Sequence, residues 1–204
     1  MLVTNIAPMG RRPSTRERLQ AAALDLFLAQ GYEETTVNQV AQAAGVSHMT
    51  FFRHFPTKED VVLDDPYDEV IAGAVRAQDR GLPVVERVRC GILAAWAALP
   101  EPSAAQARAR VGLVARTPRL RARAAENNRR TASLICEALV ADGAAPVDAA
   151  VAAAACLAAL MEALLLWGAQ PDSGDLGTLI RRALDVLAVG ADAGGRAVAS
   201  AGPA

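Results

Sequence analysis

The sequence predicts an all-α protein, and three observations carry that prediction. Apolar residues recur at steps of three and four along most of the chain, which is the period of an amphipathic helix. Capping residues precede these stretches, and glycine or proline ends them. No stretch alternates apolar and polar residues as a half-buried strand does. We expect about nine helices in a chain of 204 residues, which is long enough to bury a substantial core.

The first predicted helix covers residues 15–30. Ser14 and Glu17 form a capping box, in which the serine hydroxyl accepts the third amide of the helix and the carboxylate accepts the serine amide. Gly31 supplies the left-handed backbone that ends the helix.

Two short helices follow, at residues 36–44 and 47–54. Thr36 begins a second capping box, and Ser47 caps the third helix. Gly45 permits the tight reversal between them. Two short helices joined by a glycine-containing turn of three or four residues are typical of a helix-turn-helix.

Prolines divide the rest of the chain into six further helices, because proline is favoured in a first helical turn and excluded from helix interiors. The predicted spans are residues 57–80 with a kink near Pro66, 83–99, 102–116, 118–141, 146–169 and 175–190.

The composition narrows the class of protein. Twenty-one basic residues against 22 acidic ones give a formal charge of −1, so any contact with nucleic acid depends on where the cations lie. Cys90, Cys136 and Cys156 lie apart in apolar stretches, which predicts buried thiols rather than disulfides or a zinc site. No GxSxG, P-loop or paired metal ligands occur, so we expect no enzyme, no catalytic residues, no cofactor and no metal.

Two segments of the sequence predict the cellular location of the protein. The N-terminus has no apolar run of signal-peptide length, which predicts a cytoplasmic protein; Met9 is an alternative start of translation. Residues 147–167 approach membrane-span length. Alanine dominates them, however, and Glu162 would cost about 2.5 kcal/mol or more inside a bilayer. We therefore expect a helix buried between protein helices, and no membrane partner.

Residues 35–62 resemble the DNA-binding segment of the TetR family of transcriptional repressors. The motifs that carry the resemblance are Thr35, Thr36 and Val37, the Ala-Gly-Val-Ser turn at 44–47, Thr50, the aromatics Phe51, Phe52 and Phe55, and Lys58 with Glu59. The resemblance implies a three-helix helix-turn-helix domain followed by a C-terminal helical domain that binds ligand and dimerises.

The patterns and the resemblance together predict four regions. They are a flexible basic arm at 1–13, a helix-turn-helix DNA-binding domain at 14–56, a helical ligand-binding and dimerisation domain at 57–190, and a disordered tail at 191–204.

The third helix is expected to lie in the major groove with its outward face towards the bases, while helix starts and cations contact phosphates. The basic arm can reach phosphates or a minor groove, or be a solvated terminus. Phe52 replaces a tyrosine of the family, and His48 replaces a lysine, which predicts weaker contact with the DNA backbone. The expected DNA-binding residues are Arg11, Arg12, Thr36, Gln39, Ser47, His48, Met49, Thr50, Phe52, Arg53 and Lys58.

The C-terminal helices are expected to supply a pocket and a dimer interface. The partners predicted are a double-stranded DNA operator, a small hydrophobic inducer and a second copy of the chain. Alternatives are a transcriptional activator, and a helical scaffold without an inducer. The expected pocket residues are Ile92, Trp96, Asn128, Leu157, Met161 and Glu162, and the expected dimer residues are Leu164, Trp167, Leu176, Ile180, Leu184 and Leu187.

Overall fold

A computed structural model describes residues 13–64, 67–98 and 104–194. In these residues the chain forms ten α-helices and no strand, which confirms the predicted all-α class. The helices are α1 (Thr15–Gln30), α2 (Val37–Ala43), α3 (His48–His54), α4 (Asp60–Leu63), α5 (Tyr67–Arg76), α6 (Val84–Ala98), α7 (Ala104–Arg116), α8 (Pro118–Ala141), α9 (Pro146–Ala169) and α10 (Leu176–Gly194).

The tenth helix arises because the helix predicted at 57–80 is two separate elements. The chain leaves α4 at Asp64, whose backbone is extended, and α5 ends at Arg76. The kink predicted near Pro66 falls outside the described residues.

The spans predicted at 118–141 and 146–169 agree with α8 and α9. The prediction of a disordered tail from residue 191 is wrong for its first four residues, because α10 continues through residues 191–194. Residues 195–204 lie outside the described part of the chain.

The chain divides into two compact units, 1–64 and 65–204. The first unit extends past the boundary predicted at residue 56, because Gln20 on α1 donates its side-chain amide to the carbonyl of Asp64 at 3.1 Å. α1 to α4 enclose one core. Its members are Leu19, Ala23, Phe27, Val40, Ala41, Phe51, Phe55, Val61 and Val62.

α1 begins and ends where the sequence predicts. The amide of Glu17 donates to the hydroxyl of Ser14 at 3.2 Å, and the amide of Ser14 donates to the Glu17 carboxylate at 2.6 Å. Gly31 follows with φ of 95°, a region that disfavours side chains with a Cβ. Local capping chemistry therefore sets both ends of this helix.

α9 is the central helix of the second unit and packs against α6, α7, α8 and α10. Its length and composition would suffice to cross a membrane, and 33% of its most apolar window is buried inside the described structure. The buried residues of α9 are mostly small, which lets neighbouring helices approach closely. They are Ala149, Ala152, Ala153, Cys156, Leu157, Ala163 and Trp167.

Glycines bring two pairs of helices into backbone contact. A Cβ added to Gly91 on α6 would lie 2.6 Å from the Cα of Val75 on α5. One added to Gly168 on α9 would lie 2.7 Å from the amide nitrogen of Gly112 on α7. Only glycine fits at these crossings without moving a backbone.

Arg108 binds the loop that connects α9 to α10. Its guanidinium lies over the ring of Trp167, 4.4 Å from the centroid, and donates to the carbonyls of Gln170 and Pro171 at 2.7 Å each. It also donates to the carbonyl of Gly174 at 3.2 Å. The loop thereby gains partners for backbone oxygens that no helix satisfies.

Asp142, at the C-terminal end of α8, joins two arginines. The buried Arg87 donates to one carboxylate oxygen at 2.7 Å, and the exposed Arg80 lies 2.6 Å from the other. The hydrogen bond from Arg87, with the charge of Arg80, lowers the pKa of Asp142 below its ordinary value. The ionised carboxylate therefore stabilises the fold above its unfolded pKa and loses this contribution as the pH falls through its folded pKa.

Replacing Asp142 with asparagine should lower stability at neutral pH and have little further effect in acid. At pH 7 the variant leaves the buried Arg87 without its anion, which is destabilising. Below the folded pKa, the wild-type carboxyl is protonated and resembles the amide. Urea unfolding at pH 7, 5 and 3 should thus show a gap between wild type and D142N that narrows with acidity. A gap that stays constant would contradict this role.

The three thiols differ in burial. Cys156 is buried, as predicted, and desolvation raises its pKa to about 11. Cys90 and Cys136 are half-buried. Burial and the charge of Glu86 also raise the pKa of Cys90. Since the thiolate is the reactive form, the thiols of Cys156 and Cys90 are held in the less reactive state.

Candidate nucleic-acid interface and ligand groove

A tight turn separates α2 from α3. Gly45 has φ of 67°, and the amide of Val46 donates to the carbonyl of Ala41 at 2.9 Å. The hydroxyl of Ser47 then accepts the amide of Thr50 at 3.1 Å and caps α3. The cap and the glycine turn predicted from the sequence are both present.

One face of α3 packs against the core of the first unit, and the other face is exposed. Phe51 is fully buried, and so is Phe55, which directly follows the helix. The outward residues predicted from the sequence are all exposed, although their contact with DNA stays a prediction. They are Ser47, His48, Met49, Phe52 and Arg53.

Thr36 and Gln39, two further residues predicted to contact DNA, lie at the start of α2. The amide of Thr36 donates to Gln39 Oε1 at 2.8 Å, and the amide of Gln39 donates to Thr36 Oγ1 at 3.3 Å. Both residues are exposed. Thr50 is half-buried, and its hydroxyl lies 2.9 Å from that of Ser47. These hydroxyls therefore serve the helix caps as well as any phosphate they contact.

Lys58 has partners within its own unit. Its ammonium donates to the carbonyls of Tyr32 and Thr35 at 2.8 and 3.1 Å, and lies 4.0 Å from the centroid of the Tyr32 ring. This geometry ties the loop between α1 and α2 to the chain after α3. The phosphate contact predicted for Lys58 is untested, and holding this loop is the competing role, because the ammonium already donates to both carbonyls.

Arg16 contacts the C-terminal end of α3, a role that sequence reasoning did not identify. Its guanidinium lies 4.6 Å from the centroid of the Phe55 ring and donates to the carbonyl of His54 at 3.3 Å. It also pairs with the carboxylate of Asp64. The capping box of α1 gives no sign of these contacts, since they join residues up to 48 positions apart. Arg11 and Arg12 of the predicted arm fall outside the described residues.

An open groove of about 360 Å³ lies between the start of α8 and the C-terminal half of α9. Met161 and Glu162, which the sequence assigned to a ligand pocket, are among its lining residues, and ligand binding there stays a prediction. Its floor is mainly apolar, with Arg121 and Glu162 as charged groups. The lining residues are Pro118, Arg121, Ala122, Ala124, Ala125, Met161, Glu162 and Leu165.

The remaining predicted pocket residues do not line this groove. Ile92 and Leu157 are buried in the core of the second unit, and their place in a ligand pocket stays a prediction. Trp96 packs against the same core. Asn128 is half-buried on α8 and is not among the lining residues.

Most of the predicted dimer residues are also core residues of the single chain. Their apolar faces are covered by the other helices of the same unit, so they cannot form the surface between two copies. Leu164 and Leu187 are half-buried against that core. The residues corrected in this way are Trp167, Leu176, Ile180 and Leu184.

α9 exposes a different apolar face. Val147 and Val151 lie one turn apart and are 72% and 63% exposed. Ala154 and Ala158 continue the same face over the next two turns. Valine and alanine side chains thus form an exposed apolar face on α9.

Two family models match the chain. Residues 19–64 match the model described as bacterial regulatory proteins, tetR family. Residues 82–192, more than half of the chain, match the model described as the MftR C-terminal domain.

Two curated regulators are similar to parts of the chain. HTH-type transcriptional regulator TcmR of Streptomyces glaucescens is 49% identical over 69 residues, which are 33% of this chain and 30% of that protein. The putative mycofactocin biosynthesis transcriptional regulator MftR of Mycobacterium tuberculosis is 26% identical over 114 residues, 55% of this chain and 57% of that protein. The chain thus spans less than two thirds of the length of either relative.

Solved structures share the fold over most of the chain. FadR of Thermus thermophilus, a transcriptional repressor in complex with lauroyl-CoA, has a TM-score of 0.51 at 27% identity and covers 93% of this chain and 98% of its own. The SmeT–triclosan complex has a TM-score of 0.60 at 20% identity over 87% of this chain and 91% of its own. SmeT is the repressor of a multidrug efflux pump of Stenotrophomonas maltophilia.

Proposed function

The chain belongs to the TetR family of bacterial regulatory proteins, and we propose that it is a ligand-responsive transcriptional repressor acting in the cytoplasm. The observation that carries the proposal is the exposed face of α3, held over a buried aromatic core at the end of a helix-turn-helix. A helix presented in this way fits the major groove of DNA. The second helical unit then supplies the parts that pair and that bind a ligand.

A single helix-turn-helix buries too little surface for tight specific binding, so the proposal includes a dimer on a palindromic operator. Half-sites would lie about 34 Å apart, or a multiple of that distance. We place the pairing surface on the exposed face of α9 that carries Val147, Val151, Ala154 and Ala158, because its small side chains allow a second helix to approach closely.

A charge on this face should prevent pairing. Native mass spectrometry of the wild type should give the mass of a dimer, and V151E should give a monomer. L28E places the same charge on an exposed leucine of α1 and should leave the dimer intact. A dimer of unchanged stability in V151E would exclude this face.

The groove between α8 and α9 is the proposed inducer site. Its volume lies at the lower end of the range for ligand pockets, so it suits a compact hydrophobic ligand or part of an acyl chain. Met161 and Leu165 supply apolar contact, and Arg121 and Glu162 supply polar groups at its wall. The lauroyl-CoA in T. thermophilus FadR supports an effector with an apolar chain.

Selection from a random library of DNA duplexes, with the full-length protein as bait, tests the proposed function. We expect enrichment of a palindrome that the protein shifts in a gel, and release of that duplex by lauroyl-CoA. A reporter carrying the selected duplex should be repressed by the protein, whereas raised output would indicate an activator. Enrichment of no duplex would overturn the proposal and favour a scaffold.

A further inference from the structure

α3 exposes two apolar side chains at the centre of its outward face. Met49 is 75% exposed and Phe52 is 39% exposed. At about 100° per residue, the exposed side chains of the helix fall within an arc of about 140°, with Met49 and Phe52 between His48 and Arg53. The middle of the face that we propose to meet DNA is therefore apolar, and its flanks are polar.

Contacts within the helix hold one of these side chains in place. The Phe52 ring meets His48 edge to face, with centroids 4.7 Å apart, and lies 5.4 Å from the ring of the buried Phe51. Met49 is unbranched and adapts its shape to a neighbour. The patch thus combines an oriented ring with an adaptable side chain.

The base edges of the major groove offer one apolar group, which is the C5-methyl of thymine. The other groups there are hydrogen-bond donors and acceptors, which a thioether sulfur, a weak acceptor, and a phenyl ring satisfy poorly. We propose that Met49 and Phe52 read thymine C5-methyl groups and so determine part of the operator sequence. This inference rests on the proposed DNA binding and adds the chemical group that is recognised.

Deoxyuridine gives a direct test, because it differs from thymidine only in lacking that methyl group. In the duplex obtained by selection, each thymine of one half-site is replaced in turn by deoxyuridine, and the affinity of the full-length protein is measured. At two positions, one for each of the two side chains, we expect a loss of about fourfold, the effect of one methyl group leaving an apolar contact.

The same deoxyuridine duplexes, measured with the M49A and F52A variants, show which side chain contacts which thymine. Each variant should become insensitive to deoxyuridine at one position while keeping the sensitivity at the other. R53A is the matched control on the same face, and it should bind more weakly yet keep every sensitive thymine. Circular dichroism checks that the variants keep the fold. Met49 is exposed, so its removal should leave the fold unchanged.

Three results would overturn the inference. One is a bound duplex in which no thymine is sensitive to deoxyuridine. Another is a sensitivity that M49A and F52A both retain in full. Enrichment of no duplex would overturn the proposed function as well, so the two failures are distinguishable.

Discussion

G91A is expected to lower the free energy of unfolding of the second unit by about 2 kcal/mol or more. The added Cβ would lie 2.5 Å from Val75 Cγ2 and 2.6 and 2.8 Å from the Val75 Cα and amide nitrogen. The side-chain carbon could rotate away, but the two backbone atoms move only if α5 moves. Overpacking of this kind costs about 1–3 kcal/mol, even though alanine is otherwise the better helix residue.

G73A is the matched control, because Gly73 lies in α5 and an added Cβ there would meet nothing within 4 Å. This change should raise stability by about 0.5–1 kcal/mol. Both tryptophans, Trp96 and Trp167, lie in the second unit, so urea unfolding followed by tryptophan fluorescence reports on it. Equal stabilities for G91A and G73A would contradict the close crossing of α5 and α6.

Features set by neighbours in sequence could be predicted from the sequence. The capping box of α1 and the turn at Gly45 depend on residues at most five apart, so their pattern carries the necessary information. Proline at a first helical turn likewise marks the starts of α8 and α9. The outward face of α3 follows from the helical period once Phe51 and Phe55 are recognised as core.

Features set by distant contacts could not be predicted in this way. The stripe on α10 that includes Ile180 and Leu184 shows that a face is apolar, but not whether its own unit or a second copy covers it. The structure buries both within the unit. Arg16 likewise gains its partners only when the chain returns to it, nearly 50 residues later at Asp64.

K58M is expected to destabilise the first unit and weaken DNA binding without changing its dependence on salt. Methionine keeps an apolar stem against the Tyr32 ring but cannot donate to the carbonyls of Tyr32 and Thr35. Hydrogen bonds from a charged group contribute about 1.5–3 kcal/mol, so a loss of about 2 kcal/mol follows. Hydrogen exchange of peptides from residues 13–64 measures it, since the tryptophans lie in the other unit.

R53A tests DNA binding separately from the stability of the first unit. Arg53 is exposed on α3, so its removal should leave hydrogen exchange unchanged. If Arg53 neutralises a phosphate, the slope of log affinity against log salt should become shallower by about 0.9. K58M should show the reverse pattern, with faster exchange and an unchanged slope. A shallower slope with normal exchange in K58M would mean that Lys58 serves the phosphate backbone and that the loop between α1 and α2 holds without it.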